Sequence, residues 1–192
     1  MLETEKQQSL NTTPARVSTT NNLEQVTLVD ESDTAIGVEE KTQAHLAGKL
    51  HRAFSIFVFN SQQELMLQRR ARSKYHSGGL WSNTCCGHPR PNETTLAAGL
   101  RRLQEEMGFV CDLKESSSIL YRVELDHGMI EHEFDHVLTG RFDGEPCPNP
   151  DEVAEFQWLG ISQLMEALSS RPESFTYWLK LALERVSPLV DC

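Results

Sequence analysis

A cysteine and a histidine, Cys86 and His88, stand two residues apart in a short segment whose composition suits a β-strand. Alternate side chains of a strand point to the same face, so we expect these two side chains to lie together and Cys85 to point the other way. A thiol is a nucleophile and imidazole is a metal ligand. The pair therefore indicates acid–base, nucleophilic or metal chemistry at one place.

A second set of residues that could bind a metal or transfer protons lies in a later segment, in which polar and apolar residues alternate. Glu131, Glu133 and Asp135 share one face of the predicted strand, and two carboxylates at this spacing can converge on one ion. The same run contains the string HEFDH, which on a helix is typical of zinc metalloproteases. Because the run alternates like a strand and is closely bounded by Gly128 and Gly140, the long helix of such an enzyme is not expected.

A predicted helix follows the cysteine segment and carries further charged residues. Its apolar residues recur at helical spacing in residues 93–108, and Gly108 is a typical helix end. Arg102 and Glu106 are four residues apart on this helix, so they are neighbours on one face. An ordinary amphipathic helix with surface ion pairs is the alternative interpretation of this segment taken alone.

The other predicted elements would place these residues around one β-sheet. The segment 51–60 is apolar at nearly every position, as in a central strand buried on both faces, and 64–70 is its predicted hairpin partner. A cluster of basic residues follows in 69–74. Further predicted strands are 26–30, two runs joined by a hairpin at 126–128, and 155–160, and the closing helices are 161–170 and 175–186.

Length and composition limit the classes of protein to consider. With 192 residues, the chain fits a single domain over residues 23–192, preceded by a polar, disordered tail over residues 1–22. A net charge of −10 makes nucleic acid an improbable partner, and no apolar run has the length of a membrane span. Five irregularly spaced cysteines favour reduced thiols and a cytoplasmic protein.

The spacing around the predicted helix resembles a known metal-binding box. After a first glycine come five residues, a glutamate, seven residues and an arginine. The matching residues are Gly87, Glu93, Arg101, Leu103, Glu105, Glu106, Gly108 and Phe109. This pattern resembles the Nudix box, except that Arg102 stands where that family has a metal-binding glutamate. Together with Cys86 and His88 just upstream, the segment is similar to type 1 isopentenyl diphosphate isomerases.

This resemblance implies a fold and a reaction. The fold would be an α/β (α+β) Nudix-like sandwich with a mixed β-sheet flanked by helices. The reaction would be the isomerisation of isopentenyl diphosphate to dimethylallyl diphosphate, a step of isoprenoid biosynthesis, through a tertiary carbocation. In the family pattern Cys86 and Glu133 are the two acid–base groups, Tyr121 assists proton transfer, and Trp158 offers its ring face to the cation.

The resemblance also implies two metal sites and an anion-binding end. One Mn²⁺ or Zn²⁺ would be bound by His45, His51, His88, Glu131 and Glu133, a mixed nitrogen and oxygen donor set. One Mg²⁺ would bridge the diphosphate and Glu106. The diphosphate itself would be held by Arg70, Lys74, Arg102 and Lys41. The five residues between His45 and His51 are one fewer than in the family, which indicates a different path for that loop.

Two other functions are compatible with these residues. A Nudix diphosphate hydrolase would use the same box and basic cluster, and a non-enzymatic diphosphate-binding module would use them without turnover. In each case we expect a small-molecule partner, no nucleic acid, no membrane, and a monomer or homodimer.

Overall fold

The computed structural model of the protein describes residues 24–186, so the predicted tail over residues 1–22 lies outside the described part. The strands are β1 (Gln25–Val29), β2 (Ala35–Glu40), β3 (His51–Phe59), β4 (Glu64–Arg70), β5 (Trp81–Ser82), β6 (Cys85–Gly87), β7 (Leu113–Glu124), β8 (Ile130–Arg141) and β9 (Val153–Gly160). The helices are α1 (Lys41–Ala47), α2 (Thr95–Met107), α3 (Ile161–Ser170) and α4 (Tyr177–Val186).

The sheet is mixed and is built around β3. This strand pairs in parallel with β8 and antiparallel with β1 and β6, while β7 and β8 form the predicted antiparallel hairpin. Almost every residue of β3 is buried, as its apolar sequence predicts. The central position of β3 is therefore confirmed.

Helices cover both faces of this sheet. On one face, Phe57 of β3 packs in a cluster with α3 and α4 that includes Leu179 and Leu183. On the other face, Ile56 packs with Leu103 of α2. Each fully buried side chain of this kind contributes about 1.5–3 kcal/mol to folding. The mixed sheet with flanking helices is thus as expected, and no helix in residues 24–186 is long and apolar enough to cross a membrane.

The hairpin predicted between β3 and β4 exists only at its turn. The two strands pair at Phe59 and Leu65 and then diverge, and β4 pairs along its length with β9 instead. Strand β6 enters the opening and pairs with β3. Just before β6, the hydroxyl of Thr84 accepts a hydrogen bond from Val58 N (2.9 Å) and donates one to Met66 O (2.7 Å), bridging the gap. The opening brings the cysteine segment into the middle of the sheet.

Helix α2 begins and ends close to the predicted bounds. The side chain of Thr94 caps its first turn, and Gly108 ends it with a positive φ of 75°, a conformation that suits glycine. Glu93 lies just before the helix, where Arg101 donates to both of its carboxylate oxygens at 2.8 Å. This bidentate pair fixes the loop that joins β6 to α2.

The HEFDH string lies within strand β8, so it is not a helical zinc motif. His132 faces Gly48 O (3.0 Å), and His136 lies between Glu115 and Asp33, away from the one glutamate of the string. The opposite face of β8 carries the carboxyl groups, as its alternating pattern predicts.

Candidate active site

A cavity of about 340 Å³ opens where β6 enters the sheet. Its wall combines side chains from α1, β3, β6, α2, β8 and α4 with the loop after β4. Nine of the predicted site residues line it: Lys41, Arg70, Lys74, Cys86, His88, Arg102, Glu106, Glu131 and Glu133. The elements that carry them are distant in sequence, and the divergence of β3 and β4 brings them together.

Four predicted metal ligands form a compact cluster at one end of the cavity. His45, His51, His88 and Glu133 each present one ligand atom, and these atoms lie within 4.8 Å of one another. Nε2 of His51 is 3.2 Å from Nε2 of His88, which in turn is 2.9 Å from Glu133 Oε1. The short spacing between His45 and His51 is accommodated because α1 ends at Gly48 and the chain enters β3 directly.

The ring orientations in this cluster suit a cation. Nδ1 of His45 donates to Lys41 O (2.7 Å), and Nδ1 of His51 donates to Lys49 O (2.8 Å), so both Nε2 lone pairs face the cluster. Nε2 of His45 is buried without a hydrogen-bond partner among the described residues. Burial lowers the pKa of His45, and it lowers that of His88 to about 3. Neutral imidazoles with converging lone pairs are what a divalent metal requires.

The two glutamates of β8 share one tyrosine. The hydroxyl of Tyr121 lies 2.6 Å from Glu133 Oε2 and 3.1 Å from Glu131 Oε2. Burial opposes the charge on Glu133, but hydrogen bonds with His51 and His88 hold its pKa well below the usual range. Burial and the neighbouring Glu133 raise the pKa of Glu131 well above it. A divalent cation beside the pair would supply the positive charge that ionises both carboxyl groups.

Cys86 lies across the cavity from these carboxyl groups. It belongs to β6, on one side of β3, whereas Glu133 belongs to β8 on the other side. Burial raises the pKa of Cys86 to about 12, although the Arg70 guanidinium, 3.8 Å from Sγ, lowers it. The group is therefore a protonated thiol at neutral pH. Cys85 points into the core and is fully buried, as the strand pattern predicts.

The other end of the cavity holds a cluster of two cations and two anions. Arg102 contacts Glu106 and lies 3.1 Å from Glu152, while Lys74 contacts Glu152 and lies 3.9 Å from Glu106. Gln68 donates to the second oxygen of Glu106 (2.9 Å). These cations are held in place by carboxylates, so this end of the cavity presents a preformed set of charge-assisted donors.

Comparison with known proteins shows the family to which the chain belongs. Residues 49–179 match the NUDIX domain family. The "Isopentenyl-diphosphate Delta-isomerase 2" of Aromatoleum aromaticum is 55% identical over 85% of this chain and 86% of its own length. The corresponding isomerase of Pectobacterium atrosepticum is 51% identical over 85% of this chain and 92% of its own length. The chain belongs to the isopentenyl-diphosphate Delta-isomerase family.

Solved structures show the same fold at much lower identity. DR0079 from Deinococcus radiodurans superposes with a TM-score of 0.70 at 21% identity, covering 84% of this isomerase chain and 98% of its own. The MutT protein from Methanosarcina mazei gives a TM-score of 0.59 at 16% identity, and the match covers 72% of this chain and 94% of the MutT chain. The sheet with its flanking helices is thus the Nudix fold.

The structure does not bring Trp158 to the cavity of this isomerase. Trp158 lies on β9 opposite Met66 of β4 and packs against the α2 side of the core. Trp178 of α4 lines the cavity instead, with its ring centre 5.4 Å from the Arg70 guanidinium carbon. Its indole Nε1 donates to Asn83 Oδ1 (3.1 Å), which fixes the ring. Both tryptophans lie in elements of alternating or amphipathic character, so sequence pattern alone does not distinguish them.

The cavity wall also contains residues that were not predicted, among them Tyr75, His76 and Glu152. Tyr75 and His76 lie in the loop between β4 and β5, where no periodicity indicates which way a side chain points. Glu152 lies just before β9, and its pairing with Lys74 and Arg102 is seen only in the folded structure. Lys41, which was predicted, lies at the rim, where its ammonium group pairs with Glu24 (3.0 Å).

Proposed function

We propose that this isomerase interconverts isopentenyl diphosphate and dimethylallyl diphosphate with Cys86 and Glu133 as its two acid–base groups. The observation that carries the proposal is that both side chains line one cavity from strands on either side of β3. Adding a proton to one end of the double bond gives a tertiary cation, and losing a proton from the other side gives the allylic isomer. The reaction requires a reduced Cys86 thiol, which favours the cytoplasm.

The carboxyl end of the site combines metal binding with proton transfer. Mn²⁺ or Zn²⁺ would be held by His45, His51, His88, Glu131 and Glu133. Such a cation, when bound, withdraws electron density from Glu133 and so adjusts its proton affinity. Tyr121, whose hydroxyl lies 2.6 Å from Glu133 Oε2, would assist proton transfer at that carboxyl group. Cys86, as a neutral thiol, supplies the second exchangeable proton.

The diphosphate would occupy the charged end of the cavity. Arg102 and Lys74 would exchange part of their contact with Glu106 and Glu152 for phosphate oxygens, and Glu106 would hold the Mg²⁺ that offsets the negative charge of the diphosphate. Arg70, beside Cys86, extends this positive surface toward the apolar tail. Binding energy from the remote charged group then orients the double bond between the two acid–base groups.

The simplest test of this function is product analysis. The purified protein is incubated with isopentenyl diphosphate, Mg²⁺ and Mn²⁺, and the products are followed by NMR and by phosphate release. We expect dimethylallyl diphosphate to form without inorganic phosphate. The second candidate, diphosphate hydrolysis, is favoured by the NUDIX domain match, and it predicts phosphate release without an allylic product. Arg102 argues against hydrolysis, since it stands where the Nudix box has a metal-binding glutamate.

We expect Trp178→Leu to lower kcat by roughly 30-fold, because the ring faces the cavity and a cation–π contact in a dry site stabilises a carbocation by about 2 kcal/mol. Trp178→Phe retains a smaller π face, so its kcat should lie between those of the wild type and of Trp178→Leu. The matched control is Trp158→Leu, which removes the same side chain from the α2 side of the core. It should lower the melting temperature but change kcat only a few-fold. Equal losses of kcat in both leucine variants would contradict the assignment.

A further inference from the structure

His76 lies beside the metal cluster although the family pattern gives it no role. It belongs to the loop between β4 and β5, is only 5% exposed, and lines the cavity. Its Nε2 is 3.4 Å from Glu131 Oε1, and its ring centre is 6.0 Å from that of His45. One ligand atom each from His45, His76 and Glu131 lie within 4.8 Å of one another. A second group of donor atoms thus adjoins the first.

The orientation of the His76 ring matches that of the other histidines in the cluster. Its Nδ1 faces Ser77 Oγ at 3.2 Å, outside the cluster, so that Nε2 points inward. The loop is held by Arg70, whose Nη2 donates to His76 O at 3.3 Å, and the edge of the ring packs against Trp178 at 5.9 Å. An Nδ1 partner that leaves Nε2 free is the usual arrangement of a metal-ligating histidine.

We propose that His76 is a further ligand of the divalent cation, beyond the three histidines of the family pattern. His45 belongs both to the group with His51, His88 and Glu133 and to the group with His76 and Glu131, so the two groups of donor atoms share one histidine. Bonds of about 2.1 Å between metal and nitrogen require donor atoms to lie close together, and those of His45, His76 and Glu131 lie within 4.8 Å of one another.

A fourth imidazole changes which cation the site prefers. Nitrogen donors favour Zn²⁺, Fe²⁺ and similar ions over Mg²⁺, so His76 would strengthen the discrimination against Mg²⁺. It would also explain how Glu131 is kept close to the cluster, because both would bind the same ion. This inference rests on the metal site of the proposed function.

The test measures metal binding directly in the full-length protein. Mn²⁺ affinity is determined by competition with a chelator, and the number of coordinating imidazoles is determined by pulsed EPR of the Mn²⁺-loaded protein. We expect His76→Ala and His76→Gln to weaken Mn²⁺ binding by at least about tenfold and to remove one imidazole from the count. His127→Asn is the control, because His127 lies in an exposed turn with a positive φ that asparagine accepts.

The imidazole count decides the outcome. If it is the same in wild type and both His76 variants, the proposal is overturned, even where affinity falls, since His76 would then only position Glu131 through a hydrogen bond. Circular dichroism identifies a variant that fails to fold, and the glutamine variant is included because it preserves polarity and most of the volume. A wild type that binds Mn²⁺ through all four histidines but forms no dimethylallyl diphosphate would contradict the isomerase function and leave the ligand assignment intact.

Discussion

Cys86→Ala is expected to lower kcat for isomerisation by about 10²- to 10⁴-fold, the usual contribution of a positioned acid–base group. The thiol is half-buried and protonated, and it lies on the other side of β3 from Glu133, where it is the proposed acid–base group. Diphosphate binding should be nearly unchanged, because Lys74 and Arg102 lie at the other end of the site. The measurements are kcat at saturating isopentenyl diphosphate and its Kd by calorimetry.

Cys85→Ala is the matched control for this substitution. It removes the same atom from the neighbouring residue of β6, but that side chain points into the core and is completely buried. We expect a lower melting temperature, because a small void forms in the core, and a kcat within a few-fold of wild type. A Cys86→Ala protein with wild-type kcat would exclude the thiol from proton transfer.

The parts of this structure that sequence predicts best are those governed by simple periodicity. The apolar run of β3 requires burial on both faces, and Gly108 ends α2 because its backbone adopts a left-handed conformation there. Strand alternation likewise separates Cys85 from Cys86, and it places Glu131 and Glu133 on one face. In each case a local rule and the tertiary packing favour the same arrangement.

The parts that sequence could not predict depend on how elements meet. Strand β4 leaves β3 after one pair because β6 and the Thr84 hydroxyl fill the opening, and nothing in the sequence of β4 indicates this. Trp178 lines the cavity and Trp158 does not, and this depends on which face of the sheet α4 covers. His76 belongs to an irregular loop, so its approach to Glu131 follows only from the folded path of that loop.

Glu133→Gln should have the largest effect, because one carboxyl group serves several functions. Its Oε1 contacts His88 in the metal cluster, while Oε2 accepts the Tyr121 hydroxyl. The amide cannot carry a proton as a carboxyl group does, and it is a weaker metal ligand. We expect kcat to fall by at least about 10³-fold, because an acid–base group is lost, and Mn²⁺ binding to weaken by at least about tenfold. Rates and chelator competition measure the two effects.

The control and a metal titration separate the two functions of Glu133. Glu115→Gln removes the same charge from β7, where the side chain is half exposed and pairs with His136 outside the cavity. This variant should keep kcat and Mn²⁺ affinity near their wild-type values. Saturating Mn²⁺ should fill the metal site of the Glu133→Gln variant. It should not restore kcat, because the carboxyl group that carries the proton is absent. Recovery of kcat at full occupancy would mean that Glu133 acts only as a ligand, and Tyr121 would then be the remaining acid–base candidate opposite Cys86.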